Sequence, residues 1–356
     1  MNLKGIFNIY FLNYKFNNKQ LTELKLGKTH KVNYFIYANP ELHYFQMQLV
    51  RLTLEKGLDA TVLINSKFNP RQMAEIHLGL ENNLDFLLYS NQEFTWEQMY
   101  QIREGLKNDV DVSVYARPEF NWEQMFQIRL GLEQGLDVSW YAKPEFNVDQ
   151  MSEIRTGLEK KLEVSWYANP EFNDRQMEQI RLGLENNVDV SIYAKPDYNW
   201  EQMKQILYGL ARKVPIVEIY ANPKFNAYQM KVIREAFEKN NIDLSNFAKP
   251  EFHEYKLIQI RKGIEQNLDV SIYAKPEYTC YQMEQIRLGL LKNLDVEIYS
   301  DPNIKAEEME RIRKELEKVI NGSSDSNSNS GDSDSISRID WYSEIQRIKL
   351  EMESKK

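Results

Sequence analysis

The side chains that could do chemistry in this 356-residue chain fall into two groups, one scattered and one periodic. The scattered group is His30, His43, His77, His253 and the single cysteine, Cys280. A catalytic or structural metal needs three or four nitrogen, sulfur or oxygen donors converging at bonding distance, usually announced by paired ligands a few residues apart. These histidines share no such spacing. A cysteine nucleophile needs a base beside it, and Cys280 has no histidine at a regular separation. It cannot form an internal disulfide either, which fits a reducing compartment. No glycine-rich phosphate loop is present. Carboxylates are abundant, but they sit at helix positions that water reaches, where they report nothing about acid–base work. These observations predict a protein that is not an enzyme and carries no metal or cofactor.

The periodic group is more informative. A cation recurs at Lys25, Arg51, Arg103, Arg129, Arg155, Arg181, Arg234, Arg261, Arg287 and Arg313. It could grip phosphates, one per unit. It could instead pair with a glutamate four residues on, as in Arg129–Glu133 and Arg181–Glu185, or with a capping aspartate of a neighbour. The acidic partners are nearly as regular as the cations, which favours the structural reading; an exposed pair of this kind contributes only about a few tenths of a kcal/mol. A second set does not repeat its chemistry. The first helical position and those four and eight later share a face, and they read Trp96-Tyr100-Glu104, Trp122-Phe126-Leu130, Val148-Ser152-Thr156, Asp174-Glu178-Leu182 and Trp200-Lys204-Tyr208. Such a face suits a partner that is itself non-repeating, because surface aromatics are the commonest binding anchors. The competing reading is that these side chains simply cover the preceding proline turn. Trp96, Tyr100, Trp122, Phe126, Trp200 and Tyr208 are the partner-binding candidates.

The elements that position them follow from the repeat. Met47, Met73, Met99, Met125, Met151, Met177 and Met203 stand 26 residues apart. Leu21 extends the series backward; Met230 and Leu257 follow at steps of 27, and Met283 and Met309 return to 26. The extra residues are expected in the loops of Gly209–Tyr220 and Ile233–Phe247. In the unit that opens at Phe120, Asn121 and Gln124 form a capping box. Phe120 and Met125 occupy the positions of a hydrophobic staple, and Met125, Ile128 and Leu132 make one apolar face. Gly135 can stop the helix in a left-handed conformation. Asp137 can cap a short turn through Ala142, which Pro144 ends. The tyrosine of that turn (Tyr141 and its counterparts) and the residue before it, including Trp140 and Trp166, read as core. A mid-helix glycine recurs at Gly79, Gly105, Gly131, Gly157, Gly183, Gly209, Gly263 and Gly289. It costs roughly 1 kcal/mol against alanine in each unit, which makes sense if two helices must approach closely there. One unit cannot bury its own apolar face, so neighbours must stack. The fold expected is all-α, an α-solenoid of twelve 26–27-residue units, each with one α-helix and one short α or 3-10 turn.

Residues 1–15 read as an N-terminal capping segment and 16–320 as the solenoid. Residues 321–337, rich in Ser, Asp and Asn, read as a disordered linker, and 338–356 as an amphipathic helix. In that last helix Trp341, Ile345, Ile348 and Met352 recur at spacings of four, three and four. Trp341 and Ile345 join the partner-binding candidates; the helix either meets a partner or folds back on the array. No apolar run is long enough to cross a membrane. The aromatic segment 5–14 is interrupted by Asn8 and Asn13 and lacks a cleavage site, so a cytoplasmic location is the default.

Strings such as Tyr-Ala-Lys-Pro-Glu-Phe within this repeat resemble the ~26-residue repeats of proteins without assigned function from low-GC Gram-positive bacteria and their mobile elements. The architecture is also similar to leucine-rich-variant solenoids, at the level of fold only. With a net charge of −8, these observations point to a scaffold that binds another protein on its variable helix face. The resemblance adds a narrower expectation, an inhibitor from a phage or mobile element that captures a host defence enzyme. The alternative is a repeat-based RNA-binding protein. An acidic chain without a basic stripe speaks against it, because strand binding rests on neutralising phosphates.

Overall fold

Wherever the Gln-Met dipeptide or its variant occurs, a helix begins three residues before its second member. In the computed structural model, which describes residues 16–64, 67–325 and the isolated positions 347, 350 and 354, twelve long helices follow one another: α1 Asn18–Thr29, α2 Tyr44–Glu55, α3 Pro70–Glu81, α4 Trp96–Lys107, α5 Trp122–Glu133, α6 Val148–Glu159, α7 Asp174–Glu185, α8 Trp200–Ala211, α9 Ala227–Asn240, α10 Glu254–Glu265, α11 Cys280–Leu291 and α12 Ala306–Asp325. Among the described residues there is no strand. Single short helical turns join most of the long helices, 3-10 in geometry except at Thr61–Ile64 and Val217–Tyr220. The chain is therefore all-α, an α-solenoid of stacked repeats, in two units that meet within α7: residues 1–181 and 182–356. The expected capping segment 1–15 and the tail helix 338–356 lie outside the described residues, save three isolated positions of the tail.

The local chemistry explains why each helix starts where it does. In α5 the Asn121 side chain accepts from Gln124 N at 2.8 Å, while Gln124 Oε1 accepts from Asn121 N at 2.8 Å. The free end of the same glutamine has a second task. Gln124 Nε2 donates to the carbonyls of Phe146 (2.7 Å) and Pro144 (3.2 Å) in the next repeat. Gln98, Gln150, Gln202, Gln229 and Gln282 do likewise. The glutamine thus satisfies orphan donors at a helix start and fastens consecutive repeats. In α10 a lysine replaces it, and Lys256 Nζ still reaches the equivalent carbonyl, Pro276 O, at 2.7 Å.

Helices end on a left-handed residue. Gly135 takes φ +69°, and asparagines fill the position at Asn83, Asn187, Asn267 and Asn293. Between neighbouring helices the core is made by the staple phenylalanine, the methionine and the isoleucine: Phe120, Met125 and Ile128 are fully buried. The two longer steps are absorbed differently. In the first, the loop before Val217–Tyr220 takes the extra residue. In the second, the helix takes more than the extra residue: α9 has 14 residues where its neighbours have 12, and the connection that follows it is one residue shorter than that after α5. At the other end α12 runs five residues beyond Ile320, because extending an existing helix needs no new nucleus.

The recurrent glycine has a different cause from the one its spacing suggests. A Cβ on Gly131 would lie 1.9 Å from the Tyr141 hydroxyl and 2.8 Å from Val138 Cγ1. Both belong to the short turn of the same repeat, not to a neighbouring helix. The tyrosine hydroxyl reaches through the gap and donates to the helix backbone at Gln127 O, 3.1 Å away. Tyr37, Tyr89, Tyr115 and Tyr273 make the same bond to Glu23, Glu75, Gln101 and Gln259. Each glycine is the space its own tyrosine needs.

Burial pushes these phenols above the usual tyrosine range at Tyr37, Tyr89, Tyr115, Tyr141, Tyr193, Tyr220, Tyr273 and Tyr299. A folded-state pKa above the unfolded value means a contribution fully present below the unfolded pKa of about 10 and lost as pH rises through the folded value. Circular dichroism should therefore show stability falling from about pH 10 upward. The buried phenols should ionise only with unfolding; ionisation of all tyrosines with helicity intact would refute this.

Candidate functional site

Of the two periodic candidates, the arginines of the cation ladder are largely spent inside the protein, while Lys25 at its start is exposed. Arg51 Nε donates to Glu23 at 2.8 Å and Arg103 Nε to Glu75 at 2.7 Å, each 28 residues earlier on the preceding helix. Arg129, Arg155, Arg287 and Arg313 make the same bond to Gln101, Gln127, Gln259 and Gln285. The second arm takes the glutamate four residues on, as in Arg129–Glu133 and Arg234–Glu238. All of these arginines but the half-buried Arg155 are buried, so the expectation of exposed pairs and of a capping aspartate as the neighbour's contribution is corrected. The partner is the Gln or Glu two residues after the methionine. Arg261 shows the rule by exception: its counterpart position on α9 is Val232, so its Nε makes no hydrogen bond to the preceding helix and is left with Glu265 of its own helix at 3.4 Å.

The histidines have local roles as well. His77 stands in the arginine position, with Nδ1 2.7 Å from the Thr53 hydroxyl and Nε2 2.8 Å from Glu81, and burial lowers its pKa. His43 caps α2, and His30 contacts Glu55 at 2.6 Å. Cys280 is the half-buried first residue of α11. Among the described residues, no three His, Cys, Asp or Glu side chains group as a metal site.

The variable face is what remains at the surface. Tyr100, Trp122 and Tyr208 are 38%, 42% and 37% exposed, while Trp96, Phe126 and Trp200 are half-buried. The structure gathers most of them into two open depressions. The first, about 420 Å³, lies in residues 1–181 and is lined by Trp96, Glu97, Tyr100, Gln101 and Trp122. The second, about 450 Å³, lies in residues 182–356 between α8 and α9; Trp200, Lys204 and Tyr208 form one wall, Tyr228 and Lys231 the other. Phe126 lines neither. Trp341 and Ile345 lie outside the described residues.

Cations stack on these rings. The Arg71 guanidinium carbon is 5.1 Å from the Trp96 ring centre and Arg103 is 5.3 Å from Tyr100; Arg129 is 5.4 Å from Phe126. Around Tyr208 three cations converge: Lys204 at 5.8 Å, Arg212 at 5.5 Å and Arg234 at 5.6 Å. Ring faces within about 6 Å of a cation attract it through the quadrupole, so the aromatics are held in place as well as presented.

Two features differ from the sequence reading. Trp140 and Trp166, expected in the core, are 37% and 39% exposed. The turn they belong to is a 3-10 helix with three residues per turn, so Val138 and Tyr141 share the inner side and Trp140 is turned outward. The second difference is a row of tyrosines at the second position of α9, α10 and α11. Tyr228, Tyr255 and Tyr281 are 64%, 59% and 67% exposed, where α4, α5 and α8 carry Glu97, Glu123 and Glu201. That substitution of aromatic for acid in three consecutive repeats was the available signal. Comparisons with protein-family models, curated proteins and solved structures found no match.

Proposed function

We propose that the chain is a non-enzymatic scaffold that binds a protein partner on the variable face of its helices. One observation carries this reading: the repeated glutamine, arginine and tyrosine positions are consumed in bonding within and between repeats, and non-repeating positions supply the aromatic linings of the two depressions. Partly exposed aromatics held by neighbouring cations lose little freedom on contact, which is what makes such residues anchors. The test is affinity capture with quantitative cross-linking, comparing the full chain with its Trp96→Ala, Trp122→Ala, Trp200→Ala triple variant. Truncated anchors typically weaken binding by about tenfold or more each, so the specific partner should disappear from the variant while its helicity stays unchanged. An identical partner set for both chains rejects the reading.

A further inference from the structure

Lys204 and Lys231 face the α8–α9 depression from opposite walls, and neither has an acidic partner within ion-pair distance among the described residues. Every other cation there is committed: Arg212 bonds Glu238 at 2.8 Å, and Arg234 bonds Gln205 and Glu238 at 3.0 and 2.6 Å. Lys204 is held, since its ammonium lies 5.8 Å from both the Trp200 and the Tyr208 ring centres. Tyr228 closes the other side. The lining includes four cations, Lys204, Arg212, Lys231 and Arg234, against two acids, Glu201 and Glu235, within a chain of net charge −8. The depression in residues 1–181 has the opposite character, with Glu97 its one charged lining residue.

We propose that the α8–α9 depression receives an acidic segment of the protein partner, its carboxylates meeting Lys204 and Lys231 and its apolar or aromatic side chains resting on Trp200, Tyr208 and Tyr228. This rests on the protein-binding reading and names the chemistry of what is bound. Charge complementarity selects the occupant. A carboxylate placed between two ammoniums that lack an ion-pair partner, in a depression beside aromatic rings, gains attraction with less screening than in open water. A nucleic-acid strand, by contrast, presents one charge per nucleotide along its whole length. It would meet Glu201 and Glu235 within the depression and an acidic chain around it. An acidic peptide needs only one or two charges here.

The experiment uses the full chain and short synthetic peptides that pair aspartate or glutamate with an aromatic residue. Matched peptides carry the corresponding amides or lysines instead, and a single-stranded oligonucleotide is run in parallel. The acidic peptides should bind best, and more weakly as salt rises. Lys204→Gln with Lys231→Gln should cost roughly tenfold in affinity and the Lys→Glu pair more, with circular dichroism unchanged. Trp96→Ala with Trp122→Ala should leave this binding alone. Equal binding of acidic and amide peptides, indifference to the lysine changes, or tighter oligonucleotide binding through the same lysines would each overturn the proposal. If acidic peptides fail while partner capture through Trp96 and Trp122 persists, this inference falls and the scaffold reading stands. If both fail, both fall.

Discussion

Gly131→Ala should destabilise the protein by about 2–4 kcal/mol, although alanine is the better helix former by roughly 1 kcal/mol. The added Cβ would sit 1.9 Å from the Tyr141 hydroxyl, so the ring must withdraw. Its bond to Gln127 O would then be lost inside the core, where an unpaired hydroxyl costs about 1–3 kcal/mol. Adding Tyr141→Phe to Gly131→Ala should recover a large part of the loss, with a coupling of about 1–2 kcal/mol in a double-mutant cycle. The chain contains natural versions of that double change. Ala236 stands in the glycine position of the repeat whose tyrosine is replaced by Phe247, and Thr53 accompanies Leu63. Denaturant unfolding of the four proteins decides the matter; additive effects would show that glycine and tyrosine are independent. The measurement should follow local unfolding too, because repeat arrays depart from two-state behaviour.

The second large effect is expected at the buried arginine ladder. Arg103 is bonded to Glu75 on α3 and to Glu104 on its own helix, at 2.7 Å each. Arg103→Met would leave Glu75 buried without its cation, and removing one partner of a buried pair costs about 3–5 kcal/mol. Glu75 already has its pKa raised by burial even beside the arginine, and losing the arginine raises it further. A carboxyl whose folded pKa lies above its unfolded value is least destabilising below the unfolded pKa and most so above the folded one. The deficit of the variant should therefore be largest near neutral pH and shrink as pH falls toward about 4. Glu75→Gln in the same background should relieve most of it at neutral pH. The other repeats show the tolerance, since Arg129 uses Gln101 in that place. A pH-independent deficit, with no rescue by Glu75→Gln, would mean that lost packing rather than an unpaired charge is responsible.

Much of this molecule was legible in its sequence because the repeat makes twelve copies of one local problem. Capping boxes, staples and left-handed stops are decided within a few residues, so Asn121, Gln124 and Gly135 could be assigned from spacing alone. The variable positions were legible as well, and six of them, Trp96, Tyr100, Trp122, Trp200, Lys204 and Tyr208, line the two depressions. What could not be read were the partners of residues far apart in the chain. The glycine was assigned to helix–helix approach when its contact is a tyrosine ten residues on. The ladder arginines were expected at the surface, and most of them are buried against the preceding helix.

The Gly–Tyr pairing was nonetheless present in the sequence as a covariation, visible once Thr53–Leu63 and Ala236–Phe247 are set against the nine Gly–Tyr repeats. Trp140 and Trp166 were misplaced for a geometric reason. A three-residue turn puts adjacent apolar residues on opposite sides, and apolarity by itself does not choose between them.

The face of Trp96, Trp122 and Trp200, the feature that could carry function, therefore divides between the two levels. Sequence determined which positions vary, because non-repetition is visible without coordinates. Only tertiary structure decided that Lys204 and Lys231 oppose each other across α8 and α9 while the nearby arginines are committed elsewhere. Stacking sets those distances, and it joins residues that the chain itself keeps 27 positions apart.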